Sequence, residues 1–356
     1  MLEQQDVDAA VISDPRDIYW LTGLLLDGPF RFPALLYYET EDSCWLVCHT
    51  MEGEALVDHR DSYDAALLAT MNPDPMRLLA YAVARKAAGM RPVHRIGWQS
   101  ESLPKLLADV IGSADPPDEW VAIDDQLAVL QRVKEPDEVD LMREAIACSL
   151  AAYDAVKGAI SPGISELEVL EAGHRAATLR AGQMIFHSGD YRAGLLGGFA
   201  RDRRIEAGEL YIVDAWSTYC GYWSDLCRTF AVGEPSPLQR EVYEHIAGIL
   251  TEVPSRLGPG THGTELWGWI DGRLREHPHL RETGLIHHAG HATGLRGHEM
   301  PDLNRDREGI LEPGNVVCVE PGAYSDELRG GVRLENTFLI TETGAELLSN
   351  YPLQLT

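Results

Sequence analysis

Through the first third of the chain, short apolar runs alternate with stretches of helical spacing. Residues 9–13 and 95–98 are apolar runs bounded by polar residues and read as strands. Residues 34–38 and 44–47 read as two more, joined by the polar link from Glu39 to Ser43. Residues 18–23 read as a short helix or turn, 76–90 as an Ala-rich helix and 102–112 as another. This alternation predicts a small α/β domain. Beyond residue 130 the period lengthens. Pro136 stands where a helix can start, Asp137 and Glu138 fill its first turn, and Val139, Met142, Ile146 and Leu150 recur at helical spacing to about residue 158. Ser165 is a candidate N-cap for a helix to about residue 181. Residues 209–232 read as two strands, 237–256 and 264–276 as helices, and the chain from about 315 onward as strand and turn. The boundary falls before the Pro136 helix, giving domains over 1–130 and 131–356 and a fold class of α/β (α+β). A length of 356 residues agrees with two cores rather than one.

Polar residues interrupt this pattern in three places. The first is a hairpin, with strand-formers over 210–216, a turn over 217–221 and a second strand over 222–230. If the hairpin is symmetric about a point halfway between residues 219 and 220, Asp214 stands directly opposite Asp225, with Cβ atoms about 4.5–5.5 Å apart. Two carboxylates so placed are either solvated, share a proton or bind cations. The second is the segment 287–301, where four histidines (His287, His288, His291, His298) and three glycines fall within fifteen residues. Glycines let backbone approach a site closely and imidazole is a common metal ligand. The pattern is not HExxH, so a helix-borne zinc protease is not indicated. The third is a pair of glutamates, Glu320 and Glu335, each following an apolar run, with Arg333 available as an ion-pair partner. Four carboxylates and an imidazole are the ligand set expected of two hard divalent cations.

Composition narrows the partners. The net charge is −26, so the surface repels phosphate backbones and nucleic acid is not an expected partner. The six cysteines are irregularly spaced with no CxxC, which fits reduced, buried thiols. The N-terminal residues lack a basic stretch followed by an apolar core, and no apolar run approaches membrane-spanning length. The expectation is a cytoplasmic protein with no membrane partner.

Taken in order, Ile212-Val213-Asp214, Ser224-Asp225 with Arg228-Thr229, Gly290-His291 with Gly294-Leu295 and His298-Glu299, Glu320-Pro321-Gly322, and Arg333-Leu334-Glu335 resemble the motifs of the pita-bread metallopeptidase family, peptidase family M24. Residues 8–12 and 19–23 resemble its small creatinase-type N-terminal domain, and 133–138 the start of its catalytic domain. The resemblance implies a creatinase-like domain followed by a pita-bread catalytic domain, in the prolidase, Xaa-Pro aminopeptidase and creatinase branch. It implies that Asp225 and Glu335 bridge two divalent cations, that Asp214 completes one and that His291 and Glu320 complete the other. It further implies a hydroxide bridging the cations as nucleophile, Glu320 passing its proton, His298 bonding the substrate carbonyl, His287 as a pocket histidine, and Arg333 binding a substrate carboxylate or orienting Glu335. Manganese suits the oxygen-rich set, and iron, cobalt and zinc also fit. The implied substrate is a short peptide or small molecule, and the implied assembly a homodimer. His288 has no counterpart role and reads as an exposed or packed ring.

Three positions depart from the family pattern. Peptide-cleaving members carry a histidine upstream of the first aspartate; the corresponding position here is Gly197, and the nearest histidine is His187. Trp216 stands where a glycine is usual, and Cys227 where a threonine is. These changes keep open a second reading, a non-peptidase enzyme of the creatinase, ectoine hydrolase or dimethylsulfoniopropionate lyase type.

Overall fold

The computed structural model describes residues 5–26, 32–39, 43–50, 53–64, 74–88, 92–113 and 116–356. The chain divides into two compact units, Met1–Leu130 and Gln131–Thr356.

In the first unit, β1 (Ala9–Ile12), α1 (Pro15–Thr22), β2 (Leu35–Glu39), β3 (Ser43–His49), β4 (His59–Tyr63), α2 (Pro75–Ala87), β5 (Arg95–Trp98), α3 (Lys105–Ile111), β6 (Glu119–Ala122) and α4 (Asp124–Gln131) follow in order. The sheet order is β4-β3-β2-β1-β5-β6. Alternate residues of the central strands feed two cores: Ala9, Val11, Leu35, Tyr37 and Val47 on one face, Ala10, Ile12, Leu36, Leu46 and Cys48 on the other. A sheet covered on both faces has continuously apolar strands, which is why β1, β2, β3 and β5 were readable from apolar runs. The edge strands β4 and β6 were not, because β4 is polar and largely exposed and β6 is only four residues long with no fully buried position. The link between β2 and β3 and the end of the helix expected over 76–90 lie outside the described residues.

The second unit contains α5 (Pro136–Ala159), α6 (Glu166–Ala181), β7 (His187–Ala193), β8 (Leu210–Tyr219), β9 (Tyr222–Trp223), β10 (Leu226–Ala231), α7 (Pro237–Glu252), α8 (Gly263–Arg275), β11 (Gly290–Ala292), β12 (Glu299–Leu303), β13 (Val316–Val319), β14 (Gly322–Ser325), β15 (Gly330–Arg333), β16 (Asn336–Thr341) and β17 (Gly344–Leu347). Both N-terminal helices start as the sequence predicts: Glu135 and Glu138 form a capping box at α5, and Ser165 and Glu168 another at α6. Each such cap contributes about 1 kcal/mol. The helix expected over 237–256 ends at Glu252 and tightens to a 3₁₀ turn over Val253–Arg256, where Pro254 cannot supply the next amide.

Two sheets carry the functional strands, one ordered β10-β8-β7 with β9 beside β8, the other β12-β11-β13-β16-β17. Strand β7 was missed because its outward positions are Ser, Asp and Arg and its sequence looks like a loop. The hairpin expectation needs correction. Thr218 pairs with Trp223 and Tyr219 with Tyr222, so the turn is Cys220-Gly221, both at positive φ, the geometry a two-residue hairpin loop requires. The centre of the hairpin lies one residue further along than the symmetric guess, so the partner of Asp214 shifts by two residues. Asp214 faces Cys227, and Asp225 lies in the break between β9 and β10. Among the described residues, no helix is long and apolar enough to cross a membrane.

Candidate metal centre

Asp214 sits mid-strand in β8, flanked by Cys227 on β10 and Asp190 on β7. Tyr153 of α5 fixes this strand pair: its hydroxyl lies 2.8 Å from the Val213 carbonyl and 3.3 Å from the Ala215 amide. At the break before β10, hydroxyls take over from the ladder. The Ser217 amide donates to Ser224 Oγ at 3.0 Å, and Ser149 Oγ lies 2.8 Å from both Ser217 Oγ and Ser224 Oγ. Asp225 is therefore offset to the diagonal position from Asp214 and points to the same side. Its carbonyl accepts a short bond from Thr337.

His291 comes from β11. Gly290 before it has φ of 151°, and a Cβ there would lie 1.8 Å from the Cys318 carbonyl oxygen, so only glycine lets β11 pass β13 this closely. His291 Nδ1 is 2.9 Å from the Ala292 carbonyl, which can only accept. The proton is thereby placed on Nδ1, and Nε2 is left bare, 3.6 Å from Asp225 Oδ2 and 3.8 Å from Glu320 Oε1. Glu320 follows β13, its amide bonded to the Ala289 carbonyl. Glu335 sits between β15 and β16, its amide bonded to the Cys227 carbonyl. Behind it lies Arg228, fully buried, whose guanidinium donates to the carbonyls of Cys227, Glu335, Tyr351 and Pro352 and to Asn336 Oδ1, with no carboxylate among them.

Ligand atoms of Asp225, His291 and His298, of Asp225, Cys318 and Glu335, and of His291, Glu320 and Glu335 lie within 4.8 Å of one another in each group. Four of the five expected ligands, Asp225, His291, Glu320 and Glu335, converge in these groups, and Asp214 lies outside them beside Asp190 and Arg333. Divalent cations fit the residues present. Asp214 Oδ1, Asp225 Oδ1 and both Glu335 oxygens are buried without any hydrogen-bond partner. Buried carboxylate oxygens without partners are costly unless a cation meets them. The same strain shows in titration. Burial, followed by the neighbouring carboxylates, holds Asp225 and Glu335 well above the usual carboxylate range. Burial lifts Glu320 to about 8 and raises Asp214, the latter opposed by Arg333. Burial depresses His291 to about 3, keeping the ring neutral as a ligand must be.

The surrounding residues divide into those the sequence singled out and those it did not. His298 stacks on His291 with ring centroids 3.6 Å apart and is exposed towards the site. His287 has both nitrogens taken, Nδ1 by the His288 carbonyl at 2.7 Å and Nε2 by the Tyr324 hydroxyl at 3.0 Å, so it acts on the site through Tyr324. Arg333 turns to Asp214 Oδ2 at 2.7 Å rather than to Glu335. His187 is not a replacement histidine: its nitrogens bond Ser217 Oγ and Tyr191 Oη, each at 2.8 Å, and the ring is buried. Trp216 meets Phe199 edge-on. The buried Cys227 thiol donates to the Arg333 carbonyl at 3.4 Å. Two residues were missed. His288, read as a bystander, places Nδ1 3.2 Å from Glu320 Oε1. Asp190 shares Arg333 with Asp214, and its only signal would have been a strand at β7 in register with β8.

A two-domain α/β chain with this ordered set of convergent carboxylates and a tautomer-fixed histidine defines a metal-dependent hydrolase with the pita-bread catalytic fold. The chain belongs to metallopeptidase family M24, whose model matches residues 140–342, preceded by a creatinase/prolidase N-terminal domain matched over residues 1–138. It is 35% identical over 246 residues to the Xaa-Pro dipeptidase of Pyrococcus furiosus, covering 67% of this chain and 68% of that one. It is 33% identical over 270 residues to the uncharacterized peptidase YqhT of Bacillus subtilis, covering 74% and 75%. The prolidase structure from Pyrococcus horikoshii OT3 shares the fold with a TM-score of 0.81 at 24% identity, covering 100% of this chain and 97% of that one. The prolidase from Pyrococcus furiosus gives 0.78 at 25%, covering 99% and 98%.

Proposed function

We propose that this protein hydrolyses the bond between an N-terminal residue and a following proline, as an Xaa-Pro dipeptidase or Xaa-Pro aminopeptidase. The observation that carries this reading is the set of buried, unpartnered oxygens on Asp214, Asp225 and Glu335 facing the bare Nε2 of His291, in a chain of family M24. On this reading Asp214, Asp225, His291, Glu320 and Glu335 hold two divalent cations, manganese first and iron, cobalt or zinc as alternatives. Such cations, when bound, make water a nucleophile at neutral pH and polarise a carbonyl.

The chain's own groups supply the rest. Glu320 accepts the proton of the attacking water and delivers it to the leaving nitrogen. His298 donates a hydrogen bond to the carbonyl oxygen as charge builds on it. Arg333 fixes the orientation of Asp214, and Tyr324 links Arg333 to His287, with hydroxyl distances of 3.4 Å and 3.0 Å. Residues 1–130 serve as the creatinase-like domain and 131–356 as the catalytic domain, in a cytoplasmic homodimer whose mass light scattering would give.

The test is a metal-stripped preparation reloaded with manganese and offered Ala-Pro, Gly-Pro and Xaa-Pro tripeptides. Cleavage that depends on the added metal is expected. Intact peptides throughout would overturn the peptidase reading.

A further inference from the structure

Arg333 is the cation set within the ring of carboxylates, and a substrate's free carboxylate would be drawn to it. In this chain it is already occupied twice. Its Nη2 lies 2.5 Å from Asp190 Oδ2 and 2.7 Å from Asp214 Oδ2, and the Arg333 side chain is 13% exposed. Asp190 is a strand neighbour of Asp214 in register, so the backbone itself delivers the second carboxylate. Gly197 completes the arrangement. Its φ of 144° suits glycine, and a Cβ there would lie 2.2 Å from Asp190 Oδ2 and 3.4 Å from Arg333 Nη2. Any side chain at 197, histidine included, would push the Asp190 carboxylate off the guanidinium. Gly197 and Asp190 are therefore one device: the missing side chain makes room for the extra acid.

The charge balance follows. Asp190, Asp214, Asp225, Glu320 and Glu335, less the Arg333 guanidinium, leave four negative charges, which two divalent cations cancel. Before a bound water or hydroxide is counted, the loaded site without Asp190 would carry one positive charge, and with it the site is neutral. We infer that Asp190 is a specificity-determining residue that cancels the charge of Arg333, turning the site away from dipeptides whose free carboxylate adjoins the scissile bond and towards Xaa-Pro bonds in longer or C-terminally blocked peptides. This rests on the Xaa-Pro reading above and chooses between its dipeptidase and aminopeptidase forms.

The experiment compares wild type, Asp190→Asn and Gly197→Ala, each manganese-loaded, on Ala-Pro and on the same dipeptide with its carboxyl amidated. Wild type favours the amide. Asp190→Asn restores the charge of Arg333 and lowers KM for Ala-Pro relative to the amide on the order of tenfold. Gly197→Ala displaces the acid without removing it and moves the ratio in the same direction. A calorimetric titration gives a readout apart from turnover: L-proline binds Asp190→Asn on the order of tenfold more tightly than wild type, and prolinamide does not. If both variants melt as wild type does and neither the substrate ratio nor the proline affinity moves, the inference is wrong while the Xaa-Pro reading stands. If wild type cleaves neither peptide, that reading falls and this inference with it.

Discussion

On the Arg333 side of the carboxylate ring, the acids are held. Asp190 Oδ2 and Asp214 Oδ2 share one guanidinium nitrogen. On the Glu335 side they are left bare: both Glu335 oxygens and Asp225 Oδ1 are buried with no hydrogen-bond partner. Carboxylates of one ring thus serve two ends. Paired oxygens fix geometry, because a charge-assisted bond restrains both partners. Bare oxygens store an unfavourable burial that cation binding relieves, so metal binding and stability are coupled on that side.

The contrast can be broken first at Glu335. Glu335→Gln should abolish one metal equivalent by elemental analysis and cut kcat/KM by more than about a hundredfold, beyond the loss typical of groups behind a ligand. At a pH high enough to ionise Glu335, the same change should stabilise the metal-free protein by about 1–2 kcal/mol, seen as a higher melting temperature, since a neutral amide replaces an unmet buried charge. A lower metal-free melting temperature would mean that Glu335 has partners in the apo protein. Arg333→Met should do the reverse. It strands two acids and costs the metal-free protein about 3 kcal/mol in a denaturant titration. An unchanged midpoint would show that the pairing contributes nothing.

Acidity offers a gentler probe. Glu320 ordinarily titrates near 4.5 and is pushed up to about 8 by burial, with Asp225 and Glu335 raised in the same direction. The folded metal-free protein therefore binds protons more tightly than the unfolded chain. The contribution of these three carboxyls to its stability is fully present below about pH 4.5 and is lost as pH rises through about 8. Manganese should flatten that slope, and a slope equally steep with and without metal would place the titration elsewhere. The smallest effect is expected at His187. His187→Phe leaves two hydroxyls short of a partner and costs about 1–2 kcal/mol, with kcat/KM unchanged. A collapse in kcat/KM would instead make His187 the stand-in for the histidine absent at Gly197.

What could be read from the chain follows the range of the interactions. The helix starts at Pro136 and Ser165 were legible because caps are local. The acids of the site stood out because each lies within or directly beside an apolar strand-forming run, Asp214 inside β8 and Asp225, Glu320 and Glu335 at strand ends. The hairpin register was not, because its turn places Cys220 at φ 45°, a conformation few non-glycine residues adopt and no local pattern announces. Asp190 was hidden because β7 is polar on one side and takes its meaning from β8. His288 was hidden because the acid it approaches, Glu320, is distant in the chain and comes beside it through the β11–β13 pairing.

Arg228 gives residues 351–352 an unexpected office. The carbonyls of Tyr351 and Pro352 take part in the work that water would do around an exposed guanidinium, in a place water does not reach. That stretch has no regular secondary structure, yet it is a solvation shell made of polypeptide. Trimming it would leave a cation under-solvated directly behind Glu335, so a change far from any ligand in sequence would register first at the metal.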